Sequence, residues 1–198
     1  MNGRWPDAVV RCLTTDVEGT RSLAGAVAGL CVPGDIVLLA GDLGAGKTAF
    51  AQGFGAALGV GEPITSPTFA LLRQYPCGPG PVRTLFHADV YRLDHIQEIV
   101  DLGLGELVED DGVAVVEWGD EAAPVLGSGS LTVHIVAGPA GSDAADARSD
   151  AAGSDAADAA EAGSDEDLRS IAIAPIGTAW DGRWKRLAAT LAPWAVPT

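Results

Sequence analysis

Residues 41–48 read Gly-Asp-Leu-Gly-Ala-Gly-Lys-Thr, which fits the spacing G-x-x-x-x-G-K-[ST]. Such a segment suits phosphate, because backbone N–H groups converge where no side chain stands in the way, and a following helix start adds favourable partial charge. On this reading Gly41, Asp42, Leu43, Gly44, Ala45 and Gly46 form the cradle. Lys47 reaches the β- and γ-phosphates, and the Thr48 hydroxyl ligates Mg²⁺. Lysine occurs only at Lys47 and Lys185, so Lys47 is not a by-product of a lysine-rich chain.

A phosphate-bound metal also needs a carboxylate, and two candidates stand out. Asp89 lies in His87-Ala-Asp-Val-Tyr-Arg92, and Glu117 ends Val113-Ala-Val-Val-Glu. A carboxylate closing an apolar strand is costly unless a metal, water or donor compensates it. His87, a lone histidine on a strand, reads as a hydrogen-bonded structural residue and not as a base. Thr65-Ser-Pro-Thr-Phe69 sits where switch-like loops sit, and its hydroxyls, Thr68 among them, are placed to sense a γ-phosphate or its metal; a plain Ser-Pro turn is the alternative. The sole asparagine is Asn2, so the Asn-Lys-x-Asp guanine-reading motif is absent and ATP is favoured over GTP by elimination.

These residues need elements to position them. Ile36 to Ala40 is a short, apolar, β-branched-rich run of the kind buried on both faces of a parallel sheet, which points to an α/β class. Lys47 to Leu58 reads as a helix stopped by Gly59. Ahead of it, Thr15 and Glu18 form a capping box for a first helix of about four turns. Phe69–Tyr75 and Thr84–Tyr91 are predicted antiparallel partners, Ile96 to Leu107 a polar helix, and Gly112–Trp118 a buried strand. Leu131–Val136 and Ser170–Ala174 alternate at period two and make a hairpin. Trp180, Trp184, Leu187 and Leu191 share one face of a terminal helix, as core or, less simply, as a docking surface.

With 198 residues, 47% of them apolar, one domain is expected over 1–198. The 12 basic and 27 acidic residues leave a net charge of −15, a field that opposes direct binding of DNA, tRNA or anionic membranes. Residues 141–167 hold nine carboxylates and one arginine, with GSDAADA at 141–147 and again at 153–159. This segment reads as an acidic, low-complexity, disordered insert within the hairpin. Cys12, Cys31 and Cys77 suit neither a disulfide framework nor a zinc site. The N-terminus lacks the apolar region of a signal peptide, and a cytoplasmic home is expected.

The blocks GDLGAGKT, SPTF, HADVYRL and VVEW, in this order and spacing, resemble the TsaE (YjeE) family of bacterial ATPases. The resemblance covers about residues 12–136 and 170–191. It implies a P-loop NTPase-like three-layer fold with a mixed central β-sheet, and a role in making threonylcarbamoyladenosine beside the anticodon of tRNAs. It also implies work with a TsaD-like transferase and a TsaB-like companion, with tRNA reached only through that complex. By resemblance Thr48 and Asp89 match the Mg²⁺ positions, Lys47 the phosphate lysine, Glu117 the acidic residue of a Walker-B-like strand, and Thr68 the switch-like position. Ala88, where a large apolar residue is usual, and Gly119, where proline is common, depart from the pattern, as does the acidic insert.

A Mg²⁺-dependent ATP hydrolase, slow alone and stimulated by partners, is therefore the expected function, with Lys47 and Glu117 catalytic. Two alternatives compete with it. A small-molecule kinase needs a lid with several arginines, whereas Arg73, Arg83 and Arg92 are dispersed between Thr48 and Trp118. A nucleotide-dependent binding module would hydrolyse nothing useful.

Overall fold

The computed structural model describes residues 9–67, 70–93, 95–138 and 167–196. They form seven strands and six helices around one mixed sheet. In chain order the elements are β1 (Val10–Thr14), α1 (Val17–Ala28), β2 (Ile36–Ala40), α2 (Lys47–Ala57), β3 (Leu72–Pro76), β4 (Thr84–Asp89), α3 (Ile96–Asp101), α4 (Leu104–Val108), β5 (Gly112–Glu117), α5 (Gly119–Leu126), β6 (Leu131–Ala137), β7 (Arg169–Pro175) and α6 (Asp181–Thr190), followed by a 3₁₀ turn at Ala192–Trp194. The sheet runs β1-β7-β6-β2-β5-β4-β3. Its centre, β6-β2-β5-β4, is parallel, and β3, β7 and β1 join through antiparallel pairs.

Side-chain parity builds the three layers, because successive residues of a strand face opposite sides. Val37, Leu39, Leu85, Val113 and Val115 face the core shared with α1, α2 and α6. Leu38, Phe86, Ala88, Ala114 and Val116 face the other, with residues of α3, α4 and α5. Both faces of β2, β4 and β5 are covered, as their continuous apolar runs require. Ala88 is fully buried in the second core. Gly119 has a packing reason: a Cβ there would sit 2.6 Å from the Leu38 Cβ, so α5 starts in direct contact with β2.

Several expectations need correction. Asp16, not Thr15, caps α1, its carboxylate accepting from the Gly19 N–H at 2.6 Å. The helix then begins at Val17, and at 12 residues it is nearer three turns than four. The stretch from Ile96 to Leu107 is two short helices, because Gly103 adopts φ +62° and turns the chain between them. β3 begins at Leu72, later than expected, since Leu71 at φ +56° is incompatible with a strand. β1 and α5 have no counterpart in the sequence reading.

The expected hairpin of β6 and β7 forms, with Ala137 opposite Arg169. The acidic segment it brackets falls, apart from Asp167, outside the described residues, as do Thr68 and Phe69. On the terminal helix Trp180, Leu187 and Leu191 are buried and Trp184 packs against the same core, so this stripe is core and not a docking face. Arg183 locks the helix down, its guanidinium bonded to both Asp35 oxygens at 2.5 and 2.7 Å and lying 4.1 Å from the Trp180 ring centroid. Burial raises the Cys12 thiol to about 11 and Cys31 well above its ordinary value. All three cysteines are free. Among the described residues, no helix is long and apolar enough to cross a membrane.

Candidate functional site

The glycine loop leaves the carboxyl end of β2 and enters α2 directly, at the edge of a parallel sheet where ligands of α/β folds collect. Gly41 holds φ +137°, and a Cβ on it would lie 2.2 Å from the Ile135 carbonyl oxygen of β6. Only glycine allows the loop to pass so close to the sheet. Gly44 and Gly46, at φ +82° and +115°, take conformations that side chains resist. Gly46 is the residue ahead of α2, so its glycine conformation sets the loop-to-helix turn.

Lys47 is 5% exposed, and its ammonium is folded back onto the loop. It donates to the carbonyls of Gly41 at 2.7 Å and Asp42 at 2.9 Å, and lies 3.9 Å from the centroid of the Trp118 ring. Burial lowers its pKa from the ordinary lysine value, while Glu117, Asp89, Asp120 and Asp42 pull in the other direction. A lysine held by carbonyls and an aromatic face is a compact cation ready to exchange those partners for phosphate oxygens.

The two sequence-chosen carboxylates stand side by side. Parallel pairing puts Asp89 opposite Glu117, and Glu117 opposite Leu39 of β2. Both lie at the carboxyl ends of their strands, and their parity matches that of Leu85, Val113 and Val115, so they face α2. Glu117 is 3% exposed and satisfied by two donors. Thr48 Oγ1 donates to its oxygens at 3.0 and 3.3 Å, and His87 Nε2 lies 3.0 Å from Oε1. A carboxylate only accepts, so this pair places the imidazole proton on Nε2. Asp89 accepts from Ser66 Oγ at 2.9 Å and from the Tyr91 N–H at 3.1 Å.

One cavity of about 470 Å³ joins Gly44, Gly46, Lys47, Thr48, Asp89 and Glu117. That volume is typical of a small-molecule site. Its mouth carries Leu43, which is 91% exposed. Another cavity, of about 480 Å³, lies against α1 and α2 around Arg21 and Gln52, and neither the glycine loop nor Asp89 or Glu117 lines it. Size does not choose between them; the meeting of the glycine loop, a lysine, a hydroxyl and two carboxylates does.

Lys47, Thr48, Asp89 and Glu117 are thus brought together, and Gly41, Asp42 and Ala45 sit in the same loop. Of the switch-like segment, Ser66 reaches the site through Asp89, whereas the Thr65 hydroxyl accepts from Arg73 at 2.9 Å. Thr68 lies outside the described residues. Several residues of the site were not among those chosen from the sequence. His87 joins it as a hydrogen-bonded structural residue. Trp118, at φ +62°, leaves the strand so sharply that its ring meets Tyr91 at 4.5 Å between centroids and covers Lys47. Arg92 lines the cavity. Arg169, far along the chain, donates from Nε to the Ala45 carbonyl at 2.8 Å. The Val90-Tyr-Arg92 and Glu117-Trp118 sequences at the two carboxylates were the available signal for the aromatics and Arg92; nothing local signalled Arg169.

The donor set at the metal candidates is all oxygen, from Thr48, Asp89 and Glu117. It suits a hard cation such as Mg²⁺, which binds through one or two carboxylates together with substrate phosphates. Among the described residues no group of three or more His, Cys, Asp or Glu side chains forms an all-protein metal cage.

Comparisons with known proteins identify the family. Residues 14–143 match the family model described as "Threonylcarbamoyl adenosine biosynthesis protein TsaE". The tRNA threonylcarbamoyladenosine biosynthesis protein TsaE of Treponema pallidum is 40% identical over 126 residues, covering 64% of this chain and 90% of the relative. The protein of the same description from a Nostoc species is 37% identical over 140 residues, covering 69% and 83%. Among solved structures, the crystal structure of YdiB from Bacillus subtilis aligns over 93% of this chain and 95% of its own, with a TM-score of 0.62 and 28% identity. The family match runs from the end of β1 through the glycine loop and both carboxylates to beyond β6, and the solved relative shares the α/β layers around them: the chain belongs to the TsaE family.

Proposed function

We propose that this TsaE-family member serves the threonylcarbamoyladenosine modification of tRNA as a Mg²⁺-dependent ATP hydrolase, working in the cytoplasm with TsaD-like and TsaB-like partners. The observation that carries the reading is the convergence of Lys47, Thr48, Asp89 and Glu117 on one cavity at the carboxyl ends of β2, β4 and β5. In this reading the loop from Gly41 to Gly46 holds the phosphates by its N–H groups and Lys47 neutralises them. Thr48 and Asp89 hold Mg²⁺, which supplies charge neutralisation and phosphate orientation when bound. Glu117, freed from the Thr48 hydroxyl, orients the attacking water or the metal shell, and His87 holds the carboxylate in place. Ser66 ties the switch-like segment to Asp89, and Thr68 completes the sensing loop.

The net charge of −15 leaves tRNA to the partners. We also take the chain as one domain, with the acidic segment 141–167 an insertion at the β6–β7 hairpin. The reading is tested by phosphate release from Mg²⁺-ATP, alone and with the TsaD-like and TsaB-like proteins. Slow turnover alone and a clear rise in the mixture are expected. Equal rates, with the partners shown to bind, would defeat the hydrolase reading in favour of a binding module, and a rate that depends on an added acceptor would indicate a kinase.

A further inference from the structure

The most unexpected contact with the glycine loop comes from beyond residues 14–143, the span matched by the family model. Arg169 is the first residue of β7, paired with Thr14 of β1 on one side and Ala137 of β6 on the other. Its backbone is therefore anchored on both edges. From there Nε donates to the Ala45 carbonyl at 2.8 Å, and Nη1 donates to the Leu168 carbonyl, also at 2.8 Å.

The consequence lies on the other side of that peptide. In a planar trans peptide the carbonyl of Ala45 and the N–H of Gly46 point in opposite directions. Gly46 lines both the large cavity and a small one of about 70 Å³ that Arg169 also lines. The Ala45–Gly46 peptide is accordingly part of the wall between them. Glycine conformations cost Gly46 little in either sense, so the loop itself does not decide which way this peptide faces. The loop's own hydrogen bond, from the Ala45 N–H to the Asp42 carbonyl at 3.1 Å, leaves the Ala45 carbonyl to be held by another group.

We propose that Arg169 is a positioning residue for nucleotide binding. It keeps the Ala45 carbonyl turned toward the sheet edge and thereby aims the Gly46 N–H at the phosphate. This inference rests on the nucleotide reading above. It makes the start of β7, a strand outside the family match, part of what shapes the phosphate loop.

The test is ADP affinity by calorimetry, combined with the change in the Gly46 amide proton resonance on adding ADP, for the full chain and three variants. Thermal unfolding without nucleotide checks that each is folded. Arg169→Met keeps the apolar stem and loses every donor. Its ADP affinity is expected to fall about tenfold or more, the scale of one lost hydrogen bond to a charged group, and its Gly46 shift to shrink. Arg169→Gln carries an N–H donor the same number of bonds from the backbone as the arginine Nε, without the charge. It is expected to bind ADP close to wild type and to keep the Gly46 shift. Arg169→Lys keeps charge but moves the donor, and should fall between them.

Wild-type affinity in Arg169→Met overturns the proposal, and so does an unchanged Gly46 shift in that variant. So does a loss in Arg169→Gln that Arg169→Lys does not share, which would assign the effect to charge. Should Arg169→Met not fold, the Gln and Lys pair decides by itself. Failure of the wild type to bind ADP would instead defeat the nucleotide reading, with the Gly46 shift absent in every protein.

Discussion

Replacing Glu117 by glutamine separates chemistry from stability in one step. The carboxylate is 3% exposed, so it loses nearly all its hydration on folding. Against that cost, amounting to several kcal/mol for a buried ion, stand two donors at 3.0 Å, Thr48 Oγ1 and His87 Nε2. Hydrogen bonds to a charged group contribute about 1.5–3 kcal/mol each, so the two sides nearly cancel. An amide of the same shape removes the desolvation cost of the charge, and its oxygen, with two lone pairs, accepts both donors, which reach the same Oε1. Folding stability is therefore expected to change by no more than about 1 kcal/mol, and a small gain is in keeping with a site whose charge serves function over stability. Turnover is a different matter. A positioned carboxylate acting on a proton or water in the transition state is worth ~10²–10⁴ in rate, and the amide cannot accept that proton. Phosphate release in the partner mixture should fall by at least about a hundredfold, with ADP affinity within a few-fold of wild type. The assays are single-turnover phosphate release, calorimetry with ADP and thermal unfolding. Unchanged turnover would refute the assignment of Glu117 to the chemical step. A melting point lowered by many degrees, with affinity and rate falling together, would make Glu117 a structural residue.

Other outcomes follow from the same geometry. Asp89→Ala should weaken Mg²⁺-ATP binding far more than binding of metal-free nucleotide, measured by calorimetry with and without a chelator; equal losses would reassign Asp89 to holding Ser66 and the Tyr91 N–H. Gly53→Ala should destabilise, because its Cβ would lie 2.2 Å from the Arg21 carbonyl oxygen at the α1–α2 crossing. Overpacking against backbone costs about 1–3 kcal/mol, so thermal unfolding should show a drop of several degrees, and an unchanged midpoint would mean that the two helices separate freely. Deleting residues 143–166 and closing the β6–β7 hairpin with a short turn should leave folding and ADP affinity intact, since loop closure depends weakly on length; insoluble protein would show that the segment packs. The isolated protein should show no salt-sensitive tRNA binding in the micromolar range by filter retention.

The glycine loop, its lysine and hydroxyl, and the choice of Asp89 and Glu117 were legible in the sequence because each is a local pattern. Loop, strand and helix follow one another in a single span, and strand parity alone tells which residues share a face. The hairpin of β6 and β7 was legible for the same reason, despite the long segment between its strands. The boundaries that failed were those where one residue's conformation outweighed the pattern: Gly103 splitting α3 from α4, Leu71 delaying β3, and Asp16 in place of Thr15 capping α1. α5 escaped notice because Pro124, which lacks the N–H of a helix interior, sits within it.

Only the tertiary structure could decide who meets whom. Thr48 and Glu117 are 69 residues apart, and Ala45 and Arg169 are separated by 124. Their meeting depends on the strand order and the parallel register that sets Asp89 opposite Glu117 and Glu117 opposite Leu39. Periodicity reports which face of an element is apolar, but it carries no term for which strand lies beside it or in what register. Those are settled by the packing of two cores at once, across both faces of the sheet, and so the glycine loop was a local pattern while the company it keeps was not.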